Sequence, residues 1–152
     1  MYSRKEQTRI REEFWTSFGR HLALSFSASG EKPNWINYKT GHRHIAFKMD
    51  ASQHEATIAI QIRHPEPSER INLYKRLYAL KTVLEAHTNE KWEWREESSN
   101  EQGISVSSVT KSVAGLNVLN RDHWVEIGSF LKPRIIALDI FWNEVKEIFD
   151  VY

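Results

Sequence analysis

The sequence predicts an α+β fold: an antiparallel sheet of about five strands, with N-terminal, central and C-terminal helices packed on one face. Three observations predict it. Apolar residues recur at helical spacing near both ends of the chain and again in its middle. Residues 35–63 instead alternate apolar with polar, the mark of strands with one buried face. Turn residues divide that alternating stretch at Thr40-Gly41 and again across 50–55. Helices segregated on one face of such a sheet form a standard two-layer arrangement, and the chain is read as a single domain over 1–152.

Taken in order, the first helix opens on Ser3 and Glu6, an S-x-x-E capping box in which each side chain takes one orphan backbone donor. Ile10, Phe14 and Phe18 follow at a spacing of four, with Trp15 and Leu22 widening the stripe, and Gly19 is placed to end the helix. Leu24 to Pro33, rich in serine, reads as a loop. Trp35–Lys39, His42–Met49 and Ala56–Arg63 read as a three-stranded meander. The Thr40-Gly41 turn pairs Ile36 with Ile45, and a second turn sets Phe47 opposite Ile58 and Ile45 opposite Ile60. Both registers put Ile36, Tyr38, Ile45, Phe47, Met49, Ile58, Ile60 and Ile62 on the inner face.

Pro65 and Pro67 then start a helix carrying Leu73, Leu77, Leu80 and Leu84, expected to run to about His87. Trp92–Arg95 and Ile104–Ser108 alternate around a 98–103 turn and read as a second hairpin, whereas Val113–Leu119 is ambiguous. Asn120 or Asp122 caps a short helix with Trp124, Ile127 and Phe130. Pro133 is expected to break or kink the chain before a last helix with Leu138, Phe141, Trp142, Val145 and Phe149. Phe14-Trp15 and Phe141-Trp142 are expected to pack these terminal helices against each other.

Composition narrows the function classes. Six Trp, seven Phe and five Tyr supply ample core material, which excludes overall disorder. With 21 basic and 20 acidic residues the formal charge is +1, so bulk electrostatics points neither to nucleic acid nor to membrane. No apolar run approaches the roughly 18 residues of a membrane span. Met1–Glu6 lacks the apolar segment of a secretory signal. Absence of cysteine excludes disulfides, thiol catalysis and thiolate metal sites, and suits a cytoplasmic location.

Motifs that would carry chemistry are incomplete. His42 and His44, two apart on an expected strand, could offer two ligands to a transition metal, but the register supplies no third. His54-Glu55 lacks the second histidine of a zincin helix. Asp50 followed by Gln61-Ile62-Arg63 is a loose echo of an Mg²⁺ nuclease, with arginine where a lysine is expected and Asp50 distant in register. Glu85 to Glu101 holds six glutamates and reads as a solvated acidic rim. No catalytic residue, metal site or cofactor is assigned.

The segments Glu13-Phe14-Trp15-Thr16-Ser17-Phe18, Asn34-Trp35-Ile36-Asn37-Tyr38-Lys39-Thr40-Gly41 and Phe130-Leu131-Lys132-Pro133-Arg134-Ile135-Ile136-Ala137-Leu138-Asp139 resemble a bacterial domain-of-unknown-function family. The resemblance runs over nearly the whole chain. Family members look like stand-alone proteins, or like a domain attached to nuclease-like segments. The resemblance implies a loose association with nucleic-acid processing, and it carries no catalytic residue across. On that basis the chain is expected to be a non-catalytic binding or accessory module associated with nucleic-acid processing. One alternative is a protein–protein interaction or assembly domain using its surplus tryptophans. A second is a degenerate Mg²⁺-dependent nuclease-like enzyme. Expected partners are nucleic acid or another protein, including a second copy of the chain, and not a membrane.

The candidate binding surface is the outer face of the meander. The expected pairing lines up Trp35 with Ala46 and Ala59, Asn37 with His44 and Gln61, and Lys39 with His42 and Arg63. Lys48 extends the face. Trp35, Asn37, Lys39, His44, Lys48, Gln61 and Arg63 would then combine a stacking platform with an anion site, as single-strand binders do. The plainer alternative is an ordinary wet sheet face.

Overall fold

The computed structural model describes residues 1–152. Its elements run α1 (Arg4–Leu22), β1 (Ile45–Ala51), β2 (Glu55–Ile62), α2 (Pro67–Tyr78), α3 (Lys81–Thr88), β3 (Glu93–Ser99), β4 (Ser105–Ala114) and α4 (Trp124–Val145). Short 3₁₀ turns at Arg121–His123 and Lys146–Phe149 flank α4. The fold is α+β, with one antiparallel sheet of four strands in the order β1-β2-β4-β3, one strand fewer than expected.

The missing strand is the first. Residues 34–44 form turns because their polar groups find partners other than a neighbouring strand. Asn34 Oδ1 accepts the Asn37 N–H, the Trp35 indole donates to the Ser25 carbonyl, and Thr40 Oγ1 accepts from His42 N and donates to the Ile45 carbonyl. Gly41 holds φ +83°, where a Cβ would sit 2.9 Å from Val151 Cγ1, so both backbone and space require glycine. The apolar residues of this segment reach the core by dipping in from a loop. Tyr38, for one, stacks on Phe47 with ring centroids 5.0 Å apart.

The β1–β2 hairpin keeps the expected inner face but pairs two residues further along, with Phe47 opposite Ile60 and Ile45 opposite Ile62. The reason is a tighter turn: Ser52 Oγ accepts from His54 N and Glu55 N, so pairing starts at Ala51 and Ala56. β4 pairs with β2 and takes in only the first two residues of the ambiguous stretch, Val113 and Ala114, the rest being irregular, while β3 takes the far edge with an irregularity between Arg95 and Ser98.

In α1 the capping box forms as expected, and Ile10, Phe14, Phe18 and Leu22 are buried. Gly19 does not end this helix; it lies within it, and its α-carbon faces Ile36 closely enough that a Cβ would be 3.4 Å from Ile36 Cγ1. The central helix is two helices, divided at Ala79-Leu80. Pro133, in contrast, sits inside a continuous α4. Its lost backbone donor is outweighed by an extensive buried stripe that includes Ile127, Leu131, Ile135, Leu138, Phe141 and Trp142.

α2 and α4 meet the sheet, whereas α1 and α3 lie against α4, so the helices do not all pack on the sheet itself. The two aromatic pairs do not face each other. Phe14 packs edge-on against Trp124 at 5.5 Å, and Trp142 packs on Phe47 and Phe149 at 6.1 and 5.4 Å.

Candidate binding face

Sheet register decides which side chains share the outer face. β1, β2 and β4 place Ala46, Gln61 and Ser108 in one lane, and Arg95 of β3 completes it. The next lane holds Lys48, Ala59, Thr110 and Glu93. One step beyond the strand ends, the Arg63 N–H donates to the His44 carbonyl at 2.8 Å, so His44 and Arg63 extend the same face. Small residues therefore occupy its centre, while Lys48 and the ion pair of Arg95 with Glu93 stand exposed around them.

Of the seven expected site residues, four share this face: His44, Lys48, Gln61 and Arg63. Trp35 does not. It is 2% exposed, with its indole N–H bonded to Ser25, and is a core residue. Asn37 and Lys39 line a separate polar cleft of about 520 Å³ together with Asn143 and Lys146. The outer face consequently has hydrogen-bonding groups and cations but no aromatic platform.

The His44 end of the face carries a histidine cluster. The His44 ring lies 4.1 Å from that of His64 and 5.9 Å from that of His42. His42 sits in the turn before β1 and its Nδ1 accepts the His44 N–H at 3.0 Å, so the two do not point from one strand as a ligand pair. Burial, followed by the neighbouring His64 and by Arg43, holds His44 below the ordinary histidine value. Burial and then His44 do the same to His42, against a smaller opposite effect from Asp150. Arg43, Arg63 and Lys48 take part in none of the chain's ion pairs. Asp150 is the carboxylate that acts on His42 here, and Glu93, in the Lys48 lane, is paired with Arg95.

Asp50 lies at the other end, opposite Thr57 and well down the strand from the Gln61–Ala46 pair, so Asp50 and Gln61 do not form one cation site. The acidic stretch is not merely solvated. Glu97 pairs with the buried Arg70, Glu90 with Arg134 and Lys111, and Glu85 accepts the Trp92 N–H.

Sequence reasoning missed His64 at the cluster, although its position directly after Arg63 was a usable signal once the register was known. It also missed Asp139. This aspartate is 1% exposed and accepts from Ser27 Oγ, Ala28 N, Tyr38 Oη and Asn143 Nδ2. A charged residue within the apolar run Ile135-Ile136-Ala137-Leu138-Asp139-Ile140 was the available clue. With four donors directed at its oxygens, the carboxylate anchors the connection between α1 and β1 onto α4 at two points. Burial and then Asp139 raise the Tyr38 hydroxyl well above the ordinary tyrosine value, which keeps it a donor.

The family model described as Domain of unknown function (DUF4268) matches residues 10–146. No curated protein and no solved structure matches the chain. No helix is long and apolar enough to cross a membrane.

Proposed function

The chain belongs to the DUF4268 family, a domain of unknown function, and we propose that it is a non-catalytic module that binds the phosphate backbone of nucleic acid with its outer sheet face. One observation carries the reading: His44, Arg63 and Lys48 share that face with Gln61, and neither Arg63 nor Lys48 is in an ion pair. Unneutralised cations beside small hydrogen-bonding residues attract phosphates, and affinity of that kind comes from released counterions. Because Trp35 is internal, base stacking is not part of this reading.

Titration of a single-stranded oligonucleotide and of a duplex, at several salt concentrations, tests it. Arg63→Ala and Lys48→Ala should each weaken binding and flatten the dependence of log K on log salt by about one phosphate contact. No binding at low salt, or binding indifferent to both substitutions, removes this face and the proposal with it.

A further inference from the structure

A groove of about 500 Å³ runs between the C-terminal half of α1 and the first half of α4, on residues separate from the sheet face. Phe14, Phe18 and Trp124 form its aromatic floor, and Val125, 79% exposed, extends the apolar surface at its lip. The lining residues span two turns of each helix, so the groove is about 11 Å long. That volume falls in the range of small-molecule sites.

Its two ends differ in charge. At one, the Arg121 guanidinium lies over the Trp124 ring at 4.8 Å and is neutralised by Glu13. At the other, Lys132 Nζ lies 3.2 Å from His21 Nε2, and neither group is in an ion pair with a carboxylate. A lysine ammonium held against an imidazole, beside an apolar slot, is complementary to an anion attached to an apolar body. Gly128 keeps the slot open. A Cβ there would meet the Phe18 ring at 3.5 Å, an ordinary contact, so packing does not demand glycine even though glycine weakens a helix interior.

We propose that this groove binds an amphiphilic carboxylate, its apolar chain laid over Phe14, Phe18 and Trp124 and its carboxylate held by Lys132 and His21. Sodium decanoate is a suitable probe, with decyltrimethylammonium as the control of equal chain length and opposite charge. Binding is followed by tryptophan fluorescence and by amide chemical shifts along α1 and α4. Decanoate should saturate one site and bind at least tenfold more tightly than the cation. Lys132→Gln should erase that preference, and Gly128→Ala should weaken decanoate tenfold while leaving the melting temperature undiminished. Equal binding of the two amphiphiles, or an unchanged affinity in Gly128→Ala, overturns the proposal. So does a concentration-dependent dimer that Gly128→Ala dissociates, since the groove would then belong to a second copy of the chain.

Discussion

The Tyr38 hydroxyl donates to Asp139 at 2.5 Å, joining the loop before β1 to the middle of α4 across 101 residues of chain. The same carboxylate takes Ser27 Oγ and the Ala28 N–H, each at 2.7 Å. One buried charge therefore pins the long connection between α1 and β1 onto α4 at two points, and with it the segment that leads into the histidine cluster.

That arrangement makes alkaline stability depend on Tyr38. Its pKa is raised by burial and then by Asp139, so the folded chain holds the phenolic proton more tightly than the unfolded chain. The resulting stability is complete below the free tyrosine value of about 10 and falls as pH rises above it. Urea melts between pH 8 and 11 should show this loss in the wild type and a smaller one in Tyr38→Phe. At neutral pH, Asp139→Asn should destabilise by about 1–3 kcal/mol, because one acceptor oxygen becomes a donor facing donors.

Arg70 is the second buried charge, 3% exposed, with bonds to the Glu96 carbonyl, Ser107 Oγ and both Glu97 carboxylate oxygens. It ties α2 to the irregular part of β3. Glu97→Ala should cost about 1.5–3 kcal/mol by chemical denaturation, since the guanidinium stays buried after losing its fork. Arg70→Met, which removes the buried charge as well, should cost no more than Glu97→Ala.

Trp35 separates a core role from a surface role. Trp35→Ala should destabilise the fold by about 3–5 kcal/mol, the cost of truncating a buried aromatic. At a temperature where the variant remains folded, its oligonucleotide affinity should match that of the wild type. A stable Trp35→Ala protein that had lost binding would return this tryptophan to the surface.

Histidine titration should tune the sheet face. His44 is held below the ordinary value chiefly by burial and then by His64, so the folded chain binds fewer protons there than the unfolded chain. Its contribution to stability is present above the unfolded histidine value of about 6.5 and is lost as pH falls. A bound phosphate reverses the local balance by favouring the imidazolium. Oligonucleotide affinity should therefore rise from pH 8 to pH 6, and the rise should be smaller in His44→Ala. Isothermal titration in buffers of different ionisation enthalpy would detect the proton taken up.

Local pattern alone determined the S-x-x-E cap at Ser3 and Glu6, the Ile10–Phe14–Phe18–Leu22 stripe, and the inner face of β1 and β2. It also located the β3–β4 turn, because the alternation on each side of it is strong. Strand faces survive a register change of two residues, since side chains repeat every two. For the same reason the alternation could not say whether Ile45 meets Ile60 or Ile62, and the lanes of the candidate site changed with that choice. Tertiary structure decided the remainder. Trp35 and Tyr38 lie in a segment that alternates as a strand would, yet their partners, the Ser25 carbonyl and Asp139, lie ten and 101 residues away and draw the segment into a loop. Pro133 looks like a break, yet burial on both sides keeps α4 continuous. His64 joins His44 only because the Arg63 N–H meets the His44 carbonyl. Periodicity reports which side of an element faces the core. Which distant group satisfies a buried donor is settled by the folded chain, and that choice placed the loops, the register and the members of the candidate site.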